Sequence, residues 1–152
     1  MDLILWRHAE AEDGSNDLAR TLTRKGQQQA GQMAAWLRDH LPDNYRVFAS
    51  EAKRSQQTAA FISKSYKVMP ELNPDATPDA VFKALDWPNL NHPVILVGHQ
   101  PYIGQIAAKL LCGDSQLWTV KKGGMWWLQH RVRHGIPQTL LKAVMNPGLM
   151  AS

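Results

Sequence analysis

The chain predicts a three-layer α/β/α sandwich with a mostly parallel sheet and an antiparallel hairpin at one edge. Three observations predict it. The runs Leu3-Ile4-Leu5-Trp6 and Pro93-Val94-Ile95-Leu96-Val97-Gly98 are continuously apolar, as strands covered on both faces must be. The stretches between the strand-like runs carry helical spacing, and strand–helix alternation builds parallel sheets. The last third changes character: two apolar runs flank Gly135-Ile136-Pro137, which reads as a hairpin turn. A length of 152 residues fits one domain, read here as residues 1–152.

The elements follow in order. Leu3–Trp6 is the first strand, and the polar stretch from Glu10 to Arg20 is a loop. Thr23 can cap a helix whose apolar stripe is Ala30, Met33, Ala34 and Leu37, and Pro42 closes that region. Arg46–Ala49 is a second strand. Ser50 is read as the cap of a helix from Glu51 to about Lys64, and Val68-Met69 as a short third strand. Pro78 opens another helix at its first turn. Pro93–Gly98 is the clearest buried strand, followed by a helix from Ile103 to Leu111 that stops at Gly113. Gly124–Leu128 and Thr139–Val144 form the closing hairpin.

Composition sets limits. Hydrophobic residues at 44% and charged residues at 20% exclude a disordered chain. One cysteine excludes an intramolecular disulfide and a cysteine-based zinc site, and Cys112 reads as a core residue late in its helix. No apolar run approaches the roughly 18 residues of a membrane span, and Met1–Trp6 reads as a strand rather than a secretory signal. A cytoplasmic protein is the expectation, with no membrane partner. The formal charge of +4 is compatible with anionic substrates but too diffuse to demand nucleic acid. Lys121-Lys122 and Arg131-Val132-Arg133-His134 read as solvated hairpin ends, and Trp126-Trp127 as neighbouring strand residues of which one faces the core.

Ligands of open α/β sheets sit beyond the carboxyl ends of the strands. Arg7 and His8 follow the first strand, Ser50 and Arg54 the second, and His99 the strand that ends at Gly98. Two arginines and two histidines thus converge on one sheet edge. Guanidinium forks match phosphate oxygens, so the set describes an oxyanion site. The sequence holds no P-loop, no Gly-x-Ser-x-Gly elbow and no cysteine at these strand ends. A neutral imidazole is left as nucleophile toward phosphorus. Arg7, Arg54 and His99 would hold the phosphoryl oxygens and stabilise the transition-state charge. A metal site at His8, Glu10 and His99 is the competing reading, but two arginines would repel a dication. No cofactor and no metal are expected.

These residues resemble the histidine phosphatase superfamily, the phosphoglycerate mutase-like or RHG family. The resemblance rests on Arg7-His8, on Arg54 within Ser50-Glu51-Ala52-Lys53-Arg54-Ser55-Gln56-Gln57-Thr58, on Gly98-His99, and on Leu22-Thr23-Arg24-Lys25-Gly26. Short length, the Asp17-x-x-Arg20-x-Leu22-Thr23 run and Pro70-Glu71-Leu72-x-Pro74 make it similar to the small SixA-type phosphohistidine phosphatases. The resemblance implies that His8 is the phosphorylated nucleophile, with Arg7, Arg54 and His99 completing the phosphate pocket. Arg20 is a further substrate-binding candidate. Glu71 is the positional candidate for a general acid, and Glu10 and Asp17 could orient Arg7, Arg20 or a substrate histidine.

Ala9 stands where the family usually has glycine, so ordinary backbone angles are expected there. The implied substrate is a phosphohistidine on a protein, such as a histidine phosphotransfer domain. The alternatives are a phosphomonoesterase acting on a small phosphorylated metabolite by the same mechanism, and a non-catalytic phosphate-binding module.

Overall fold

The computed structural model describes residues 1–150. Six strands form one mixed sheet: β1 (Asp2–Arg7), β2 (Arg46–Ala49), β3 (Lys67–Val68), β4 (Val94–Gly98), β5 (Met125–Arg133) and β6 (Ile136–Met145). The helices are α1 (Arg24–Arg38), α2 (Lys53–Ala60), α3 (Pro78–Leu85) and α4 (Tyr102–Cys112). The strand order is β3-β2-β4-β1-β5-β6. The first four strands are mutually parallel, whereas β5 and β6 run antiparallel at one side.

Alternation along the strands separates two cores. Ile4, Trp6, Val47, Ala49, Ile95 and Val97 face the stripe Ala30, Met33, Ala34 and Leu37 of α1 and Ala59 of α2. Leu3, Leu5, Val94 and Leu96 point the other way, onto Val81 and Leu85 of α3 and Ile103, Ile106 and Ala107 of α4. A strand buried on both sides has no polar face to show, which explains the unbroken apolar runs.

This order places the site. The chain leaves β1 through α1 on one face and leaves β4 through α4 on the other, yet β1 and β4 are neighbours. Such a switch point opens a crevice beyond the strand ends. His8 and His99 stand directly after Arg7 and Gly98, a register pair on these two strands.

Helix ends explain where the sequence expectations shift. Thr23 caps α1 as expected, accepting from the Gly26 N–H at 2.9 Å. Ser50 does not cap in that way: α2 begins at Lys53 after Ala52, and the Ser50 side chain turns toward β4. The helix also stops at Ala60, short of Lys64, because the terminal carbonyls of Phe61 and Ile62 accept from the side chains of Arg38 and Tyr45 instead of a further turn. The hairpin strands run longer than expected and turn at His134-Gly135, leaving Pro137 in edge strand β6, where a missing N–H is tolerated. Cys112 is exposed, not core: it ends α4 one turn beyond buried Ala108, where the helix has run past its packing face. Trp127 faces the core and Trp126 is half-buried, as expected of strand neighbours. Among the described residues no helix is long and apolar enough to cross a membrane.

Candidate active site

The segment after β1 carries Arg7 and His8 on a rigid frame. The His8 N–H donates to Gly98 O at 3.1 Å, and the Arg7 N–H to Gly124 O at 3.0 Å. The Gly123 N–H in turn donates to Arg7 O at 3.1 Å and His8 O at 3.0 Å. Gly123 lies at φ +73°, in the left-handed region that glycine tolerates. Ala9 has no positive φ, in keeping with its side chain, and its N–H donates to Thr58 Oγ1 at 3.1 Å.

His8 has a defined tautomer. Its Nδ1 lies 2.8 Å from Ala9 O. A carbonyl only accepts, so Nδ1 carries the proton and Nε2 keeps its lone pair. The Arg54 Nε–H points at that lone pair from 3.4 Å. Burial, then the charges of Arg54, Arg7 and Arg20, hold the His8 pKa at about 3, against the raising effect of the Ala9 bond. The imidazole is therefore neutral and nucleophilic at any ordinary pH.

His99 has the same kind of lock from the other side. Its Nε2 lies 2.7 Å from Ser50 Oγ and 3.1 Å from Ser55 Oγ. Ser50 Oγ already accepts the Ala52 N–H at 3.1 Å, and its own proton has the ring as acceptor. With a hydroxyl donating to the ring, Nε2 accepts and Nδ1 bears the proton. That Nδ1 is buried without a partner, as is Arg7 Nε. The two imidazole rings stand 5.1 Å apart, centroid to centroid. Burial first, then His8 and Arg54, lower the His99 pKa to about 3.

Arg54, His8 and His99 are only 4%, 7% and 2% exposed, so their free donors and lone pair act in a low-dielectric recess. Arg54 is clamped by the turn at Asp17–Ala19: Nη1 donates to Asp17 O at 2.6 Å and Nη2 to Asp17 Oδ2 at 3.1 Å. Asp17 Oδ1 also accepts from Arg20 Nη1 at 3.1 Å, and Arg20 Nε donates to Glu12 O at 2.7 Å. Burial alone would raise the Asp17 pKa; hydrogen bonds from Arg20 and Arg54 outweigh it, and the net shift is downward. Arg7 Nη1 donates to Val120 O at 2.9 Å, and burial with Arg54 nearby lowers its pKa without discharging it.

The structure thus gathers Arg7, His8, Arg54 and His99, and joins Arg20 to them through Asp17. Glu10 is turned aside, its carboxylate accepting from Thr23 Oγ1 at 2.9 Å. Glu71 is exposed on the turn Pro70–Leu72, with no hydrogen bond or ion pair. Among the described residues no three His, Cys, Asp or Glu side chains gather as a metal cluster. The sequence places Ser50 after β2 as a cap and Ser55 in the run around Arg54, but does not disclose that both hydroxyls meet His99. The signal available was a hydroxyl flanking Arg54 on each side along one run that also supplies Thr58 to Ala9 and Gln57 Oε1 to the Leu22 N–H at 2.7 Å. Chemically, the recess sets the His8 lone pair beside the Arg54 guanidinium, with the His99 ring 5.1 Å from that of His8 and two buried donors unpaired, which suits attack on an oxyanion.

The chain resembles known proteins in sequence and in fold. Residues 3–77 match the family model of the Histidine phosphatase superfamily (branch 1). Over 125 residues the chain is 29% identical to the phosphohistidine phosphatase SixA of Escherichia coli (strain K12), spanning 76% of this chain and 77% of that protein. A structure from Nakamurella multipartitia described as a phosphohistidine phosphatase SixA superposes with a TM-score of 0.81 at 27% identity, covering 96% of this chain and 95% of that one. The protein histidine phosphatase SixA complexed with tungstate shares the fold, with a TM-score of 0.81 at 24% identity over 97% and 98% of the two chains.

Proposed function

We infer, for a chain that belongs to the histidine phosphatase superfamily and is homologous to SixA, that it removes phosphoryl groups from phosphohistidine on proteins. Residues 1–152 act as one catalytic domain, in the cytoplasm. The observation that carries this reading is the Nδ1-protonated His8, its Nε2 lone pair beside the Arg54 guanidinium, in a recess that also holds the unpartnered Arg7 Nε and His99 Nδ1.

The mechanism follows from those atoms. The His8 Nε2 lone pair attacks phosphorus, and the P–N bond to the substrate imidazole breaks. Its electron pair stays on the departing ring, which leaves neutral when the substrate enters protonated at its other nitrogen. Arg7, Arg54 and the His99 Nδ1–H hold the three phosphoryl oxygens through the in-line transition state. Water then attacks phosphorus on His8. The pair returns to Nε2, both water protons stay with the released phosphate, and the imidazole is regenerated. A phosphoramidate needs no separate acid to protonate an oxygen, so exposed Glu71 would act as general acid only toward an ester. Arg20, half-exposed beside Asp17, contacts the substrate at the rim.

The partner class is a phosphorylated protein such as a histidine phosphotransfer domain. The test is phosphate release from such a domain in the presence of a chelator, with wild-type protein and with His8→Ala. Rapid release that the variant loses is expected, together with acid-labile label on His8 of the wild type. No release from the domain, with turnover of small phosphoesters instead, would overturn the substrate assignment. Unimpaired release by His8→Ala would overturn the covalent mechanism.

A further inference from the structure

The loop between α4 and β5 carries two adjacent lysines that the phosphate pocket does not use. Lys121 and Lys122 are exposed and take part in none of the ion pairs among the described residues. They line a cavity of about 390 Å³ together with Gln29, Asn146, Pro147 and Leu149. No carboxylate lines it. Gln29 Oε1 is engaged by the Glu10 N–H at 3.1 Å, which leaves the amide N–H groups of Gln29 as donors. The Glu10 carboxylate next to it is held by Thr23. The cavity therefore presents donors and positive charge with no anion of its own.

Its position relative to the pocket is fixed by hydrogen bonds. Val120 O accepts from Arg7 Nη1, and the Gly123 N–H donates to both Arg7 O and His8 O. Trp6 Nε1 donates to Gly123 O at 3.1 Å. Lys121 and Lys122 sit between these anchors, on a segment tied to the catalytic strand end at both of its ends. The cavity thus adjoins the segment that frames Arg7 and His8.

We propose that Lys121, Lys122 and the Gln29 amide form an anion subsite beside the phosphate pocket, which receives the carboxylate of an acidic residue flanking the phosphohistidine on the substrate protein. The proposal rests on the phosphohistidine reading above. Lysine ammonium groups are point charges without the fork that matches a phosphate bidentately, which favours a carboxylate over a second phosphoryl group. An open cavity at a rim also fits a side chain projecting from another protein's surface.

The test uses the full chain and its Lys121→Gln/Lys122→Gln variant on three substrates. These are a phosphorylated histidine phosphotransfer domain with carboxylates beside its phosphohistidine, the same domain with those carboxylates changed to amides, and free phosphohistidine. Two exposed ion pairs are together worth about tenfold in kcat/KM. The variant is expected to lose about tenfold on the acidic domain, through KM, and to match the wild type on the amide domain and on free phosphohistidine. The loss should shrink as salt is raised. Equal kcat/KM on the acidic domain would overturn the subsite. Equal losses on all three substrates would overturn it too, since the lysines would then serve the pocket itself. Pyrophosphate competing better against the wild type than against the variant, with no difference between the two domains, would assign the site to a second phosphoryl group and overturn the carboxylate. Failure of the wild type on every phosphohistidine substrate would instead sink the function on which the proposal rests.

Discussion

Replacing Ser50 and Ser55 together by alanine removes both hydroxyls from His99 Nε2 and leaves the pocket residues themselves untouched. Nε2 offers one lone pair, which the two hydroxyls share, and a neutral hydrogen bond there contributes about 1 kcal/mol net, so the ring loses about 1 kcal/mol of its preference for the Nδ1–H form in the orientation that meets the phosphoryl group. That corresponds to about a fivefold fall in kcat/KM. The ceiling is complete loss of the donor, as in His99→Ala, at roughly 10²–10³-fold. A second effect separates this role from mere loss of structure. The hydroxyls donate to the very lone pair that a second proton would need. With them gone, the His99 pKa rises from its value of about 3, and the acid limb of the pH–rate profile moves upward. The assay is kcat/KM on a phosphohistidine domain across pH, alongside ¹⁵N–¹H spectra of the imidazoles. The single variants should each lose less than the double variant, and the difference measures how far one hydroxyl stands in for the other. A double variant that keeps the wild-type pH profile and an unchanged Nδ1–H resonance would refute the tautomer lock.

Four further outcomes follow from the same geometry. Arg7→Ala and Arg54→Ala should each lower kcat by roughly 10²–10³-fold, and a loss under tenfold in single-turnover assays would remove that arginine from the transition state. Glu71→Gln should leave phosphohistidine turnover unchanged while slowing any residual ester hydrolysis; parallel losses on both substrates would make Glu71 a general participant. Gly26→Ala would place a Cβ 2.0 Å from Glu10 O, a backbone atom of the catalytic loop. The overpacking cost of about 2–3 kcal/mol exceeds the gain of alanine in a helix by about 1–2 kcal/mol and should lower Tm by roughly 2–8 °C, with activity falling as Asp17 and Arg20 shift; an unchanged Tm would contradict the close approach. Both active-site imidazoles stay unprotonated in the fold down to about pH 3, whereas unfolded histidines bind protons from about 6.5 downward. The unfolded state thus gains as pH falls, so this contribution is full well above 6.5 and is lost as pH falls from about 6.5 toward about 3; urea midpoints at about pH 7.5 and 5.5 should already differ, and His8→Asn/His99→Asn should flatten the difference.

What was legible in the sequence divides along the line between local and non-local causes. β1 and β4 announce themselves because burial on both faces removes every polar position from Leu3–Trp6 and Val94–Val97. Arg7, His8 and His99 are legible because strand ends are where such a sheet gathers its ligand, and the chain needs no partner to place them there. Arg54 follows from helical spacing after β2. Ser50 is the instructive error. A serine before a helix is read as a cap, and the hydroxyl does accept the Ala52 N–H, but its proton goes to His99, 49 residues away. Local and distant partners use different parts of the same hydroxyl, and only the local one leaves a trace in sequence spacing. Asp17 makes the same point more strongly. That Asp17 orients Arg20, three residues on, is an expectation the structure meets, but nothing in the loop's composition says that the same carboxylate also holds Arg54. What fixes it is the seam that closes the loop: the Glu12 N–H on Thr21 O at 2.7 Å, the Thr23 N–H on Glu10 O at 3.0 Å and the Gly26 approach. Gly26 matters because any larger residue would prise that seam open, and Arg54 would then lose the clamp that aims its Nε at His8. The precision of a nucleophile legible from two letters after a strand therefore depends on a glycine eighteen residues later, whose role no local pattern discloses.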